Sequence, residues 1–244
     1  MVRGPGPAHH RMTQPPPAAP VHAWRMEFYA PVASFRDPLF PRVARALPVA
    51  PPSTVRGLLA AATGAAAEPV SLGIAAHADG AGVDTETYHP IAADGANPAV
   101  AGRVRAIKGG MTIRDRPFLA GVHLTVWLPE PDGSRLHQAL RRPRWPLRLG
   151  RSQDLVHVRA MTPVVLEPAD TAAIGHALAP QDGHQAGTAH LYRMASSIST
   201  DRLTTRWADY LWCDEPIGPH PVHGALRDTT WSRQEEQAVW LLAP

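Results

Sequence analysis

The segment from Pro31 to Gly64, PVASFRDPLFPRVARALPVAPPSTVRGLLAAATG, constrains the chain more than any other. Proline fixes φ and has no backbone N–H, so Pro51 and Pro52 bar a helix from extending backward past them. Ser53 and Thr54 offer hydroxyls that accept from the N–H groups of a first turn. Val55, Leu58, Leu59 and Ala62 recur at the spacing of one apolar helical face. Gly64 suits the left-handed residue that follows a last turn. The spacing therefore predicts a small-residue helix, entered from a Pro-rich loop and closed at Gly64. A helix N-terminus carries partial positive charge and attracts anions. Arg36, Arg42, Arg45 and Arg56 lie in or beside this one. The segment is thus either an anion site or an ordinary strand-to-helix connection with solvated arginines.

With 244 residues the chain is long enough for one large domain or two small ones with a real core. Its formal net charge is only +3, yet the sequence pI is about 9.5. The basic side chains are arginines except for Lys108. Arginine forks onto phosphate and stacks on bases, which lysine does poorly. The single cysteine, Cys213, excludes a disulfide framework and a cysteine-based metal site. No apolar run approaches the ~18 residues of a membrane helix, and the start lacks a signal-peptide core. The expectation is a cytoplasmic protein with no membrane partner.

Residues 1–20 are Pro-, Ala-, Gly- and His-rich and are expected to be a disordered tail. From His22 to Ala30, Trp24, Met26 and Phe28 alternate with Arg25, Glu27 and Tyr29, a half-buried strand. A second strand is expected over Pro69–His77. Residues 78–112 have no sustained period, which marks a functional excursion. Their end carries Arg103, Arg105 and Lys108 before two glycines. That reads as a projecting hairpin with a basic stem or as a surface loop. Arg116–Leu128 alternates with apolar residues on both faces, so it is expected to be central and covered on both sides. A short helix follows over Asp132–Leu140, capped by Asp132 or Ser134, with Leu136, Ala139 and Leu140 inward.

The run RRPRWPLRLGRSQDL is the densest charge in the protein. Arg141, Arg142, Arg144, Arg148 and Arg151 crowd around Trp145 and Gly150, with Ser152 adjoining. Like charges repel unless solvated or matched by anions. Arginines interleaved with an aromatic ring suit a phosphate backbone carrying a stacked base, and a solvated basic loop is the alternative. Leu155–Leu166 returns as a strand. The resulting order, βαββαβ, predicts an α+β fold of ferredoxin-like or RNA-recognition type over residues 21–168. A smaller β-rich domain is expected over 169–244.

Taken together, PVASFRDPLF, APPSTVRGLLAAATG and LRLGRSQDL resemble the fifth family of CRISPR-associated proteins, RAMP subunits of type I surveillance (Cascade) complexes. The likeness covers residues 23–165, and the SFR and LGRSQDL forms are most similar to the type I-B branch. What the resemblance implies is concrete. Such subunits hold the 5′ handle of the crRNA and contact the large subunit and the first backbone subunit. They engage target DNA indirectly, through the complex, and insert a thumb at the RNA. Carried over, Ser34 and Arg36 belong to the loop near the handle, Ser53, Thr54 and Arg56 to the helix start, and Gly150, Arg151 and Ser152 to the glycine loop. Residues 78–112 take the position of the thumb.

One branch of that family cleaves precursor guide RNA. Attack by a 2′-hydroxyl needs a general base and a group that stabilises the phosphorane. Among thirteen histidines, His89 with Tyr88 or His123 with Lys108 could be paired on paper. His123 alternates with apolar neighbours and reads first as a buried structural histidine. There is no Walker loop, GxSxG or HExxH. His220 and His223 have metal spacing but no companion ligands, so no metal and no cofactor is expected. Three readings stay open: a non-catalytic RNA-binding subunit, a metal-independent guide-processing ribonuclease, and a basic scaffold for acidic protein surfaces.

Overall fold

The computed structural model describes residues 19–37, 39–40, 45–88, 112–230 and 236–244. The chain runs β1 (Val21–Ala33), β2 (Phe35–Arg36), β3 (Ala46–Leu47), α1 (Pro52–Thr63), β4 (Gly73–Tyr88), β5 (Thr112–Pro129) and α2 (Asp132–Arg141). It continues through β6 (His157–Gly175), β7 (Ala179–Pro180), β8 (His190–Ile198), β9 (Thr205–Trp212), β10 (Ile217–Asp228) and β11 (Gln237–Val239). The main sheet has the order β10-β11-β6-β1-β5-β4, and β10 also pairs directly with β6. Within it β1 is antiparallel to both β5 and β6, and β4 is antiparallel to β5. A second sheet, β7-β9-β8, lies against α1 through β8.

Alternation along the central strands explains the two cores. Met26, Phe28, Ile74, Val122, Leu124, Val126 and Leu128 point to the helix-bearing face. There they meet Val55, Leu58, Leu59 and Ala62 of α1 and Leu136 and Leu140 of α2. The opposite face gathers Ala23, Ala75, Trp127, Val164, Leu166, Leu226 and Val239, from all six strands of the main sheet. Those residues fill the inside of a curled sheet. The curl is drawn together where Leu72, just before β4, exchanges backbone hydrogen bonds of 3.2 and 2.8 Å with Leu242 near the C-terminus. β5 is therefore interior and apolar on both sides, as its sequence pattern requires.

The centre of the second core is polar in one place. Asp228, fully buried, accepts from Arg25 Nη1 and Trp127 Nε1, both at 2.9 Å, and from the Thr230 hydroxyl at 2.7 Å. Burial alone would push this carboxyl up. Hydrogen bonds led by that from Trp127, then Thr230 and Arg25, instead hold it below the ordinary aspartate range. Arg25 lies on the face of β1 opposite Met26 and Phe28, and its charge is met there by Asp228 at 2.9 Å and by Glu27 at 3.1 Å.

Three expectations change. The second strand begins at Gly73 and runs to Tyr88 rather than spanning residues 69–77. Both ends of the expected excursion, 78–88 and 112, are strand, paired out to Tyr88↔Thr112. Its sequence hid the strand because residues 83–87 and 113–115 are largely solvent-exposed, so no apolar period is required there. Arg103, Arg105 and Lys108 lie outside the described residues, as do Arg42 and His89. The boundary expected after residue 168 falls inside β6, where Pro168 pairs with Leu226 instead of ending the strand. Of the C-terminal segment, β10 and β11 extend the main sheet and β7–β9 form the second one.

Removing the Asp228 carboxylate takes a charged acceptor from the buried Arg25 guanidinium and from the Trp127 indole N–H. Asp228→Ala is expected to cost about 3–5 kcal/mol in urea unfolding. Asp209→Ala, which breaks an exposed 3.9 Å pair with Arg193, should cost less than about 1 kcal/mol. Because the folded-state pKa of Asp228 is depressed, its contribution is present above the ordinary value of 3.8 and lost as pH falls through the folded value. The gap between wild type and Asp228→Ala should therefore narrow in acid.

Candidate nucleic-acid interface

The loop between α2 and β6 is set by its alternation of buried and exposed residues. Leu147 and Leu149 are buried while Arg148 and Gly150 are exposed. The loop closes on itself through Leu149 N–H to Asp154 O (2.9 Å), Asp154 N–H to Arg151 O (3.1 Å) and Val156 N–H to Leu147 O (3.1 Å). Gly150 has φ +109°, and a Cβ there would lie 2.5 Å from the Ser34 carbonyl oxygen. Only glycine lets the loop backbone rest on the backbone that leaves β1.

A buried carboxylate fixes that contact. Asp154 Oδ2 accepts from Ser34 N–H at 3.1 Å and from Arg151 N–H at 3.0 Å, and both its oxygens accept from Arg151 Nε at 3.1 Å. Ser34 is itself buried and donates its hydroxyl to Pro117 O of β5 at 2.7 Å. Arg151 reaches on to the β4–β5 stem, with Nη1 2.8 Å from Glu86 and 3.6 Å from Asp84. Glu86 also takes Arg116 Nη2 at 2.9 Å. Hydrogen bonds to Asp154 first, then Glu86, raise the pKa of Arg151 and keep it charged. These contacts frame an open cleft of about 250 Å³ between Ser34, Phe35 and Arg36, the helix start at Pro51 and Thr54, Arg116, and Gly150 with Arg151.

The residues expected at one site thus divide. Ser34, Arg36, Thr54, Gly150 and Arg151 share the cleft. Ser53 is half-buried in the same first turn, and Ser152 and Arg148 are exposed on the glycine loop. Arg45 is exposed, 3.7 Å from Asp37 and over the Phe40 ring at 4.7 Å. Arg141, Arg142, Arg144 and Trp145 lie elsewhere. The N–H groups of Arg144 and Trp145 donate to Ala62 O and Ala61 O, at the far end of α1. That helix has 12 residues and so is about 18 Å long. Trp145 is 58% exposed there, with the Arg144 guanidinium 5.8 Å from its ring centre. The basic run read as one patch is two, one at each end of α1.

Three further expectations are corrected. α1 has no side-chain cap: Pro51 is the N-cap, Pro52 brings no N–H, and the N–H groups of Thr54 and Val55 both donate to Pro51 O. Two consecutive prolines have taken the places a serine or threonine cap would use. Arg56 faces inward, 5% exposed, and donates to Val70 O (3.0 Å), Ser196 O (2.6 Å) and Leu242 O (2.8 Å). Burial lowers its pKa from the ordinary arginine value. Its position in the helical turn next to Val55, on the side facing β8, puts it inside rather than at the tip. His123 is not buried: its side chain is 32% exposed, on the sheet face opposite the helices. Asp154, Glu86, Asp84 and Arg116 were missed as site residues. Their signal was the alternation of acids in DTE against bases in RDR, and an aspartate three residues beyond Arg151.

A family model described as CRISPR-associated protein (Cas_Cas5) matches residues 25–214. The chain belongs to that family. The match spans β1 to the end of β9 and so includes every wall of the cleft. Among solved structures, this Cas5-family chain is similar to one described as "CRISPR RNA-guided surveillance complex", at 18% identity, covering 82% of this chain and 90% of that one, with a TM-score of 0.49. A "Crystal structure of Cas protein" is 18% identical, with 80% and 95% covered and a TM-score of 0.47. A "Crystal structure of a CRISPR protein from Archaeoglobus fulgidus" is 12% identical, with 89% and 97% covered and a TM-score of 0.44. No curated protein sequence matches significantly. Among the described residues, no helix is long and apolar enough to cross a membrane.

Arg56 ties α1 to three distant carbonyls, so its loss is expected to act on folding. Arg56→Ala should lower unfolding free energy by about 3 kcal/mol, since buried acceptors lose a charged donor. Chemical denaturation checks this, and a variant as stable as wild type would contradict the assignment.

Proposed function

We propose that this Cas5-family chain is a non-catalytic RNA-binding subunit of a type I CRISPR surveillance complex, holding the 5′ handle of the crRNA in the cleft. The observation that carries the reading is the meeting of Ser34, Arg36, Thr54, Gly150 and Arg151 around one opening. They come from three segments, at residues 34–36, at Thr54, and about a hundred residues later at Gly150 and Arg151. A phosphate entering there meets Arg36, Arg116 and Arg151 together with the positive end of the α1 dipole. Arg151 and Arg116 are already oriented by Asp154 and Glu86, which lowers the ordering cost of binding. The same carboxylates offset the arginine charge, so the isolated chain should bind RNA weakly and the assembled complex tightly. Trp145, exposed beside Arg144, suits a stacked base beyond the handle.

In this reading the β4–β5 hairpin is the projecting thumb, and the chain caps the backbone subunits next to the large subunit. Target DNA is reached only through the complex. The antiparallel order β6-β1-β5-β4, with α1 and α2 on one face, supports a ferredoxin-like core for the RAMP assignment. The guide-processing alternative would rest on His89 with Tyr88 or on His123 with Lys108; His123 lies on the sheet face opposite the helices, and His89 and Lys108 lie outside the described residues. Repeat RNA incubated with the chain in chelator is expected to stay intact, and cleavage would replace the non-catalytic reading.

Fluorescence polarisation with handle RNA tests the cleft. Arg36→Ala should weaken binding several-fold and reduce the salt slope by about 0.7 for one lost phosphate contact on a single strand. Adding Arg151→Ala should weaken it further. Affinity and salt slope unchanged in the double variant would overturn the proposal.

A further inference from the structure

The sheet face opposite the helices carries a cluster that the RNA reading does not use. His77 of β4 and His123 of β5 stand directly opposite in the antiparallel ladder, and their rings stack with centroids 4.7 Å apart. Asp79, two residues beyond His77, projects from the same face. It leans across the ladder, bringing Oδ2 to 3.4 Å from His123 Nε2. Gly121 makes that lean possible. It has φ +62°, and a Cβ there would overlap the Asp79 carboxylate. A fourth donor is near: the His176 ring stacks on His77 at 4.9 Å, and its Nδ1 lies 3.3 Å from Cys213 O. Donation of Nδ1–H to that carbonyl would fix the ring and leave Nε2 with the lone pair.

One ligand atom from each of His77, Asp79 and His123 lies within 4.8 Å of the other two. Atoms bound tetrahedrally to zinc at about 2.0–2.1 Å sit about 3.3 Å from one another. The Asp79–His123 separation, 3.4 Å, is already close to that value, and the two edges to His77, each within 4.8 Å, would close by rotation of its imidazole. Two imidazoles and a carboxylate suit Zn²⁺ and its first-row neighbours better than Mg²⁺ or Ca²⁺, which take oxygen ligands. We propose that His77, Asp79 and His123 bind one divalent transition-metal ion, Zn²⁺ by preference, with a fourth position open to solvent or to a further donor. No local motif marks the site, because 44 residues separate Asp79 from His123 and the β4–β5 pairing joins them.

The site stands independently of the cleft, so it is tested on the full-length chain without RNA. Zn²⁺ is titrated against a chromophoric chelator, and Co²⁺ is added separately to read visible d–d absorption. One equivalent of Zn²⁺ and the intense Co²⁺ spectrum of tetrahedral coordination are expected. His123→Ala and Asp79→Asn should each lower Zn²⁺ affinity at least about tenfold. Asp79 is 63% exposed, so its variant keeps the fold, as circular dichroism would verify. Replacing His9 and His10, the adjacent pair near the N-terminus, should leave the equivalent in place. No uptake of Zn²⁺, or uptake lost with His9 and His10 but kept in both Asp79→Asn and His123→Ala, would overturn the proposal.

Discussion

The buried carboxylate of Asp154 is the contact on which the cleft depends. It accepts from the backbone of Ser34, where β1 ends, and from the backbone and guanidinium of Arg151. One side chain thereby holds two segments that are 120 residues apart in sequence. Gly150 lets them touch, because any side chain there would strike the Ser34 carbonyl. From that loop Arg151 reaches Glu86 on the β4–β5 stem at 2.8 Å. The charge pattern of the cleft is consequently a property of the fold and not of the arginine run alone.

Behind the cleft, the sheet is curled around Trp127 and Asp228, and the chain end is returned to Leu72. Arg56 reinforces that return by donating to Leu242 and to Ser196 from inside α1. The helix whose tip forms one wall is thus anchored to the C-terminal strand region and to the second sheet. A rigid wall matters for a site of this kind, since binding a polyanion to preset donors loses less conformational entropy than gathering mobile ones.

Much of this was legible in the sequence. The apolar spacing and Gly64 set α1, and the two-sided apolar alternation set β5 as an interior strand. The motifs around Ser34, Thr54 and Gly150 pointed to surfaces that do converge. What was not legible has physical reasons. The β4–β5 stem is solvent-exposed, so its strands carry no apolar period. Arg56 sits in a helical turn whose inward direction is decided by β8, more than a hundred residues away in sequence. The run from Arg141 to Arg151 is contiguous in sequence but divided by the buried Leu147 and Leu149, which turn its two halves to opposite ends of α1. Long-range pairing, not local propensity, decided each of these.

The central claim is that one cleft, closed by Asp154 and Gly150, takes the RNA. Hydrogen–deuterium exchange on the assembled complex, with and without its guide RNA, measures this directly. The account predicts slowed exchange at residues 34–37, 51–55 and 148–154 when RNA is present. Slowing confined to residues 190–212, with those three segments unchanged, would contradict it.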